Sequence, residues 1–366
     1  MSPSPAGLIR RALKRKVRYA LDAAAPAGES GTHLDPAELP PVDPSTLSPK
    51  HAALLASPEM AMFRDCLRQG TDSIRSSVLA ELARYHEISE DEALKRCLHW
   101  EEISLQEWRE VEDRAEDGVA GLDDRPDDAV RIAFYRTMQS WSYDLLWWAY
   151  LQAEGHADPA SVIALRWLQQ RAPGRSSLDF GAGVGVTGQL FARSGWNSSL
   201  ADLSSTLLAF ARFRLERRNV LATYIDLGKQ TLPAGAYDAI TAIDTLAHVP
   251  DMYETGRQLC ESLRVGGYLI ANIDIREPAD ITVWHLQDDE LRARYDLVRA
   301  GFRLVDHLGY SLVAYQRTDL AGFAEFRRVS WAWLTHVSPF RTVGRALTRP
   351  LWRAIAKRRR NASGTA

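Results

Sequence analysis

The stretch from Leu178 to Gly188, LDFGAGVGVTG, constrains this chain most: an apolar strand runs straight into closely spaced glycines where a helix should begin. Glycines at such a turn let backbone N–H groups approach a ligand unobstructed by Cβ atoms, in dihedrals that other residues avoid. Gly183, Gly185 and Gly188 spell the G-x-G-x-x-G of dinucleotide sites, and Asp202 follows at the end of the next strand. Asp179, two residues ahead of Gly181, points elsewhere. A carboxylate there repels a pyrophosphate and attracts a ligand that carries an ammonium and a sulfonium.

Downstream of the turn, strand and helix alternate as in a parallel sheet with crossovers. Strands are expected at 177–180, 198–201, 221–225, 237–243 and 268–273, with helices at 185–194, 206–218, 252–263 and 286–300. A hairpin, 302–308 and 310–316, hinges at Gly309. Asp179, Asp202, Asp226 and Asp244 stand at the ends of strands one to four. In an open sheet of this kind the ligand lies beyond those ends, so the four acids converge on one crevice. Any one of them alone reads as a helix N-cap; four in register with a glycine turn read as a ligand site.

Asp179, Gly181, Gly183, Gly185, Asp202 and the segment Asp244 to Val249, taken in order, resemble the motifs of the class I S-adenosylmethionine (SAM)-dependent methyltransferases. The resemblance covers about residues 150 to 317. It implies an α/β fold: a doubly wound, mostly parallel seven-stranded sheet ending in an antiparallel hairpin, which sets it apart from a plain dinucleotide-binding fold. It also implies SAM as cofactor, bound by Asp179, Gly181, Ala182, Gly183, Gly185, Asp202, Leu203, Asp226, Leu227 and Asp244. Asp202 suits the ribose hydroxyls, with Leu203 flanking the adenine; Asp226, carried over by position only, suits the adenine amino group, with Leu227 beside it. Asp244 is expected at the methionine end or the acceptor. DTLAHVPD, residues 244–251, resembles the branch that methylates quinones, sugars and natural products, an analogy that fits an acceptor of small or medium size from bacterial specialised metabolism.

Methyl transfer is an in-line displacement that asks for alignment and, where the acceptor carries a proton, a base. His248 is the best-placed base, with Asp244 beside it, although a His-Val pair at this point of the family also serves to organise the loop. His285 ranks behind it. Asp244, Asn272 and Asp274 could form a metal triad on paper, but acids at strand ends are expected in any case, so no metal is predicted.

The rest of the chain divides into a basic arm and disordered linker (1–49), a helical N-terminal domain (50–125), the SAM-binding domain (126–319) and an aromatic, then basic, extension (320–366). Ser57-Pro58-Glu59 starts a helix, and Ser89 to Glu92 and Ser104 to Glu107 read as capping boxes. Leu79, Leu82, Ala83, Leu94, Leu98, Ile103 and Trp108 are core candidates of this bundle, which is expected to close over the acceptor pocket. Phe134, Met138, Trp141, Leu145 and Trp148 repeat at helical spacing over 130–153. Core packing is the plain reading of that stripe. The sharper one is a lid over the cofactor, with Tyr135, Arg136 or Tyr143 meeting the SAM carboxylate or the acceptor.

Charge is uneven. Residues 10–18 carry six positive charges and residues 341–360 eight, with no acid in either; setting those fourteen aside turns the net −2 into −16 for the remainder. An acidic body argues against a nucleic acid near the site, whereas basic ends fit an anionic or membrane surface. Cys66, Cys97 and Cys260 show neither disulfide nor metal spacing and fit a reducing cytoplasm, with peripheral membrane contact as a further option. Two other readings are a methyltransferase of peptide, carrier-bound or lipid-linked acceptors, and a SAM-binding peripheral membrane protein without catalysis.

Overall fold

A computed structural model of the chain describes residues 48–118, 126–273, 284–287, 289–309, 311–319 and 321–338, together with 35, 37, 38 and 42. The two basic segments and Asp274 lie outside the described residues.

Helices open the described chain: α1 (Pro49–Leu55), α2 (Pro58–Leu67), α3 (Ile74–His86), α4 (Glu90–Leu98) and α5 (Trp100–Gly118). Ser57 and Ser89 cap α2 and α4, their hydroxyls accepting from the amides of Met60 and Glu92, each such cap contributing about 1 kcal/mol. The box expected at Ser104 to Glu107 is not a helix start, because those residues lie inside α5. The Glu107 carboxylate instead accepts from the amides of Gln139 and Ser140, 3.1 and 3.3 Å away, and from the Ser140 hydroxyl at 2.6 Å. This acid thus caps another helix, and the single helix expected over 130–153 is two: α6 (Pro126–Thr137) and α7 (Ser140–Glu154). Helix α8 (Ala160–Arg171) leads into the sheet.

The sheet alternates β1 (Ser176–Phe180), α9 (Val186–Arg193), β2 (Asn197–Asp202), α10 (Ser205–Arg217), β3 (Thr223–Asp226), β4 (Tyr237–Ala242), α11 (Met252–Ser262) and β5 (Leu263–Ala271). It closes with α12 (Glu290–Arg299), β6 (Phe302–Gly309) and β7 (Leu312–Arg317), after which comes α13 (Gly322–His336). The strand order is β3-β2-β1-β4-β5-β7-β6. β1 to β5 pair in parallel, and the last hairpin is antiparallel, as expected. β5 starts earlier than the expected 268, since Leu263, the last residue of the expected helix, already pairs with Tyr237 before a register shift. α12 begins late, where the Asp289 carboxylate caps Leu291 and Arg292, because the amides of Leu286 and Gln287 go instead to the Ala247 carbonyl.

Alternate strand residues face two cores. Ala239, Ile270 and Ala314 face a cluster shared with Phe63, Leu82, Trp147 and Leu165, so the N-terminal helices and the sheet bury one continuous apolar mass. Ile240, Leu269 and Val313 face the other side, against Leu259 of α11 and Leu297 of α12. Among the core candidates, Leu79, Leu82 and Ala83 are buried, and Leu94, Leu98 and Trp108 are half-buried against the same cluster. Cys66, Cys97 and Cys260 are buried free thiols. Among the described residues no helix is long and apolar enough to cross a membrane.

Candidate active site

Strand order reverses between β1 and β4, and there the glycine turn leaves β1. The amides of Gly181 and Ala182 both donate to the Ala201 carbonyl, at 2.8 and 3.0 Å, which folds the turn back over β2. Gly185 has φ 75°, and a Cβ there would sit 2.8 Å from Leu200 and 2.9 Å from Ala211, so the turn presses on β2 and α10 too closely for any side chain. At Gly183, φ 51°, a Cβ would come within 2.5 Å of Leu145 on α7.

Three of the four strand-end acids face the crevice. Asp179 is buried; its oxygens accept from the Gly188 amide (3.0 Å) and the Thr241 hydroxyl (2.9 Å), and burial pushes its carboxyl up to about 7 despite those donors. Asp202 accepts from the amides of Gly183 and Ser204, both 2.8 Å away, and is also raised by burial. Asp244 sits in the left-handed region at φ 52°, a conformation costing about 1–3 kcal/mol. Asn272 holds it there, accepting from its amide at 2.7 Å and donating to its carboxylate. Asp226 differs. It pairs in register with Asp202 but does not line the crevice; its carboxylate takes the Lys229 ammonium (2.6 Å) and the Gly228 amide (3.0 Å), and the Lys229 bond holds it below the usual carboxylate range. An edge strand followed three residues later by a lysine has turned this acid away from the adenine position expected for it, while its neighbour Leu227 does face the crevice.

The crevice encloses about 320 Å³. Its far wall comes from the aromatic stripe: Met138, Trp141, Leu145 and Trp148 line it, while Phe134 is buried in the core. Tyr135 lines it as well. Tyr143 does not, since its hydroxyl accepts from Arg96 and its ring stacks on His86; the Arg136 guanidinium lies at Gly228, outside the lining. No residue of 50–125 lines the crevice among the described residues, so α6 and α7, not the N-terminal bundle, form its cover.

His248 follows β4 in a 3₁₀ turn, Leu246–His248, and lines the crevice. Its Nδ1 donates to the Trp284 carbonyl at 2.9 Å, so the neutral ring carries its lone pair on Nε2. The Tyr135 hydroxyl donates to the same carbonyl, the Trp284 indole stacks on Phe134 at 5.9 Å, and the His285 ring centre lies 4.8 Å from that of His248. Sequence reasoning missed Trp284, which lies in no periodic segment; only its place next to His285 marked it. Asp244 and Asn272 engage each other, and among the described residues no three His, Cys, Asp or Glu side chains are grouped to hold a metal ion.

The lining holds three carboxylates and, among the described residues, no lysine or arginine. That donor set repels a pyrophosphate and suits a cationic ligand with hydroxyls to satisfy. Residues 178–269 match the model of a family described as a methyltransferase domain. Ubiquinone biosynthesis O-methyltransferase from Ralstonia nicotianae is 30% identical over 29% of this chain and 47% of its own length; that from Cronobacter sakazakii is 30% identical over 34% and 53%. The chain thus spans about half the length of the curated relatives it matches. A SAM-dependent methyltransferase structure from Mesorhizobium loti aligns at 20% identity, covering 44% of this chain and 99% of that one, with a TM-score of 0.35. Residues 178–269 thus carry a match to a methyltransferase domain, and the ordered motifs and the strand order with its terminal hairpin are similar to those of the class I SAM-dependent methyltransferases.

Proposed function

We propose that this chain moves a methyl group from SAM to an oxygen, nitrogen or carbon atom of a small or medium-sized acceptor. The supporting observation is the crevice itself, three carboxylates around a glycine turn with no lysine or arginine among the described lining. When bound, SAM supplies a methyl group activated by its sulfonium leaving group. Asp202, Leu203 and Leu227 hold the ribose and adenine side, and Gly181, Ala182, Gly183 and Gly185 give the turn its close approach. Asp179 and Asp244 supply negative charge towards the methionine end. Asp226 shapes the loop through Gly228 without touching the adenine. Tyr135, Trp141 and Trp148 exclude water and align the acceptor. His248 takes the acceptor's proton, its ring set by the Trp284 carbonyl.

Titration calorimetry is expected to show binding of SAM and none of NADH; the reverse would overturn the reading. With labelled SAM and cell extract, a product heavier by one CH₂ identifies the acceptor. His248→Gln should lower kcat about a hundredfold with the SAM Kd unchanged, and an unchanged kcat would remove His248 as the base. A second part of the proposal places the protein in a reducing cytoplasm, in contact with an anionic surface through its basic ends; the exposed aromatic residues of α13 favour it.

A further inference from the structure

Helix α13 buries the wrong face for an ordinary amphipathic helix. Ala332 and Thr335 are buried, and the Arg328 guanidinium reaches back to donate to the Phe302 carbonyl at 2.6 Å, fixing the helix beside α12 and the start of β6. On the outward side stand Phe323, Phe326, Trp331 and Trp333, exposed to 77, 67, 49 and 46%, with Arg327 exposed among them. Four large aromatics on one 15-residue helix form a patch that water does not favour. Phe323 and Phe326 stand with ring centres 6.5 Å apart, and a helix that exposes four such rings while held from behind calls for a partner.

We infer that α13 is a membrane-surface helix that lays Phe323, Phe326, Trp331 and Trp333 into the interface of an anionic bilayer. Two observations choose this occupant. Phe and Trp settle at the boundary between headgroups and acyl chains, and α13, 15 residues long and held from behind by Arg328, presents them on its outer side. The chain that follows, 341–360, carries eight positive charges and no acid, which complements anionic headgroups within a few residues of the patch. The inference rests on the surface-contact part of the proposed function and is independent of methyl transfer.

The test is sedimentation of the full chain with vesicles of phosphatidylcholine alone and with about one third phosphatidylglycerol. Wild type should pellet with the anionic vesicles, less so as salt rises. A variant combining Phe323→Ser, Phe326→Ser, Trp331→Ser and Trp333→Ser should bind them about tenfold more weakly while keeping the wild-type SAM affinity. Should that variant fail to fold, brominated lipids decide: they should quench wild-type fluorescence more than that of the Trp331→Phe, Trp333→Phe protein. Wild type left in the supernatant, equal pelleting of wild type and a folded variant, or equal quenching would overturn the inference. So would a wild-type dimer in vesicle-free buffer that the variant dissolves, which would make the patch a contact between copies of this chain. Loss of SAM binding with helix-dependent pelleting intact would refute the methyltransferase proposal alone.

Discussion

The two ends of the crevice are held by different physics. At the glycine turn the bonds are directional: Asp179 takes Gly188 and Thr241, Asp202 takes Gly183 and Ser204. Behind the turn, the Arg214 guanidinium donates to the Val184 carbonyl at 2.6 Å and pairs with Glu81 of α3 at 3.0 Å, both side chains fully buried. At the other end Trp141, Trp284, Phe134 and His248 meet ring to ring, and one carbonyl, that of Trp284, gathers both Tyr135 and His248. Polar networks of the first kind fail in discrete steps when one member goes, whereas aromatic packing accepts a similar ring at modest cost. In the proposed reaction the fixed electrostatic end suits the charged donor and the shaped apolar end the acceptor.

The largest effect is expected where the N-terminal helices reach the turn. Glu81→Leu strands Arg214, with Arg218 next to it, in a buried site without a counter-charge, a loss of about 3–5 kcal/mol in urea unfolding. Because Arg214 also holds Val184, SAM affinity should fall with stability. Stability lost with affinity intact would show that the bundle supports the fold and leaves the turn alone, and the comparison between the two ends would lose its first term.

A smaller, pH-dependent effect isolates the charge at Asp179. Burial lifts its carboxyl from 3.8 to about 7, so the higher value belongs to the folded state and the neutral form favours folding. That contribution is complete below about pH 4 and fades as pH rises through about 7. Asp179→Asn cannot ionise, so its melting temperature should gain on wild type as pH rises from about 4 to about 7 and keep that gain above. A cation bound beside the carboxyl favours the charged form. SAM binding near pH 6 to 7 should therefore release a proton, seen as buffer-dependent heat in wild type and absent in the variant. Buffer-independent heat in both would mean that the turn end does not recognise charge.

Much of this was legible in the sequence because it is local. The glycine turn, the alternation of strand and helix, the terminal hairpin and three of the crevice acids follow from spacing along short stretches. Features set by distant partners were not. Glu107 caps the start of α7 from more than thirty residues away, and the Leu286 and Gln287 amides leave α12 for the Ala247 carbonyl. The Met138, Trp141, Leu145 and Trp148 stripe has the period of a buried helix face, and an apolar crevice wall produces the same period as a core. Which of the two it faces depends on where the sheet leaves a gap, a property of the assembled fold.

The smallest predicted effect is also the sharpest test of that lesson. Asp202 and Asp226 end adjacent strands in register, the first matching a motif of the resembled family and the second carried over by position alone. In the structure Asp202 faces the crevice and binds the Gly183 amide, while Asp226 turns to Lys229, a partner three residues away and largely in water. Asp202→Asn replaces one acceptor oxygen with a donor, leaving a turn amide unpaired or facing a second N–H, and should weaken SAM binding about tenfold or more. Asp226→Asn gives up a surface pair worth little and should leave the SAM Kd within about twofold. Equal losses in the two variants would place Asp226 against the adenine after all, and would mean that the Lys229 pair opens when the donor binds.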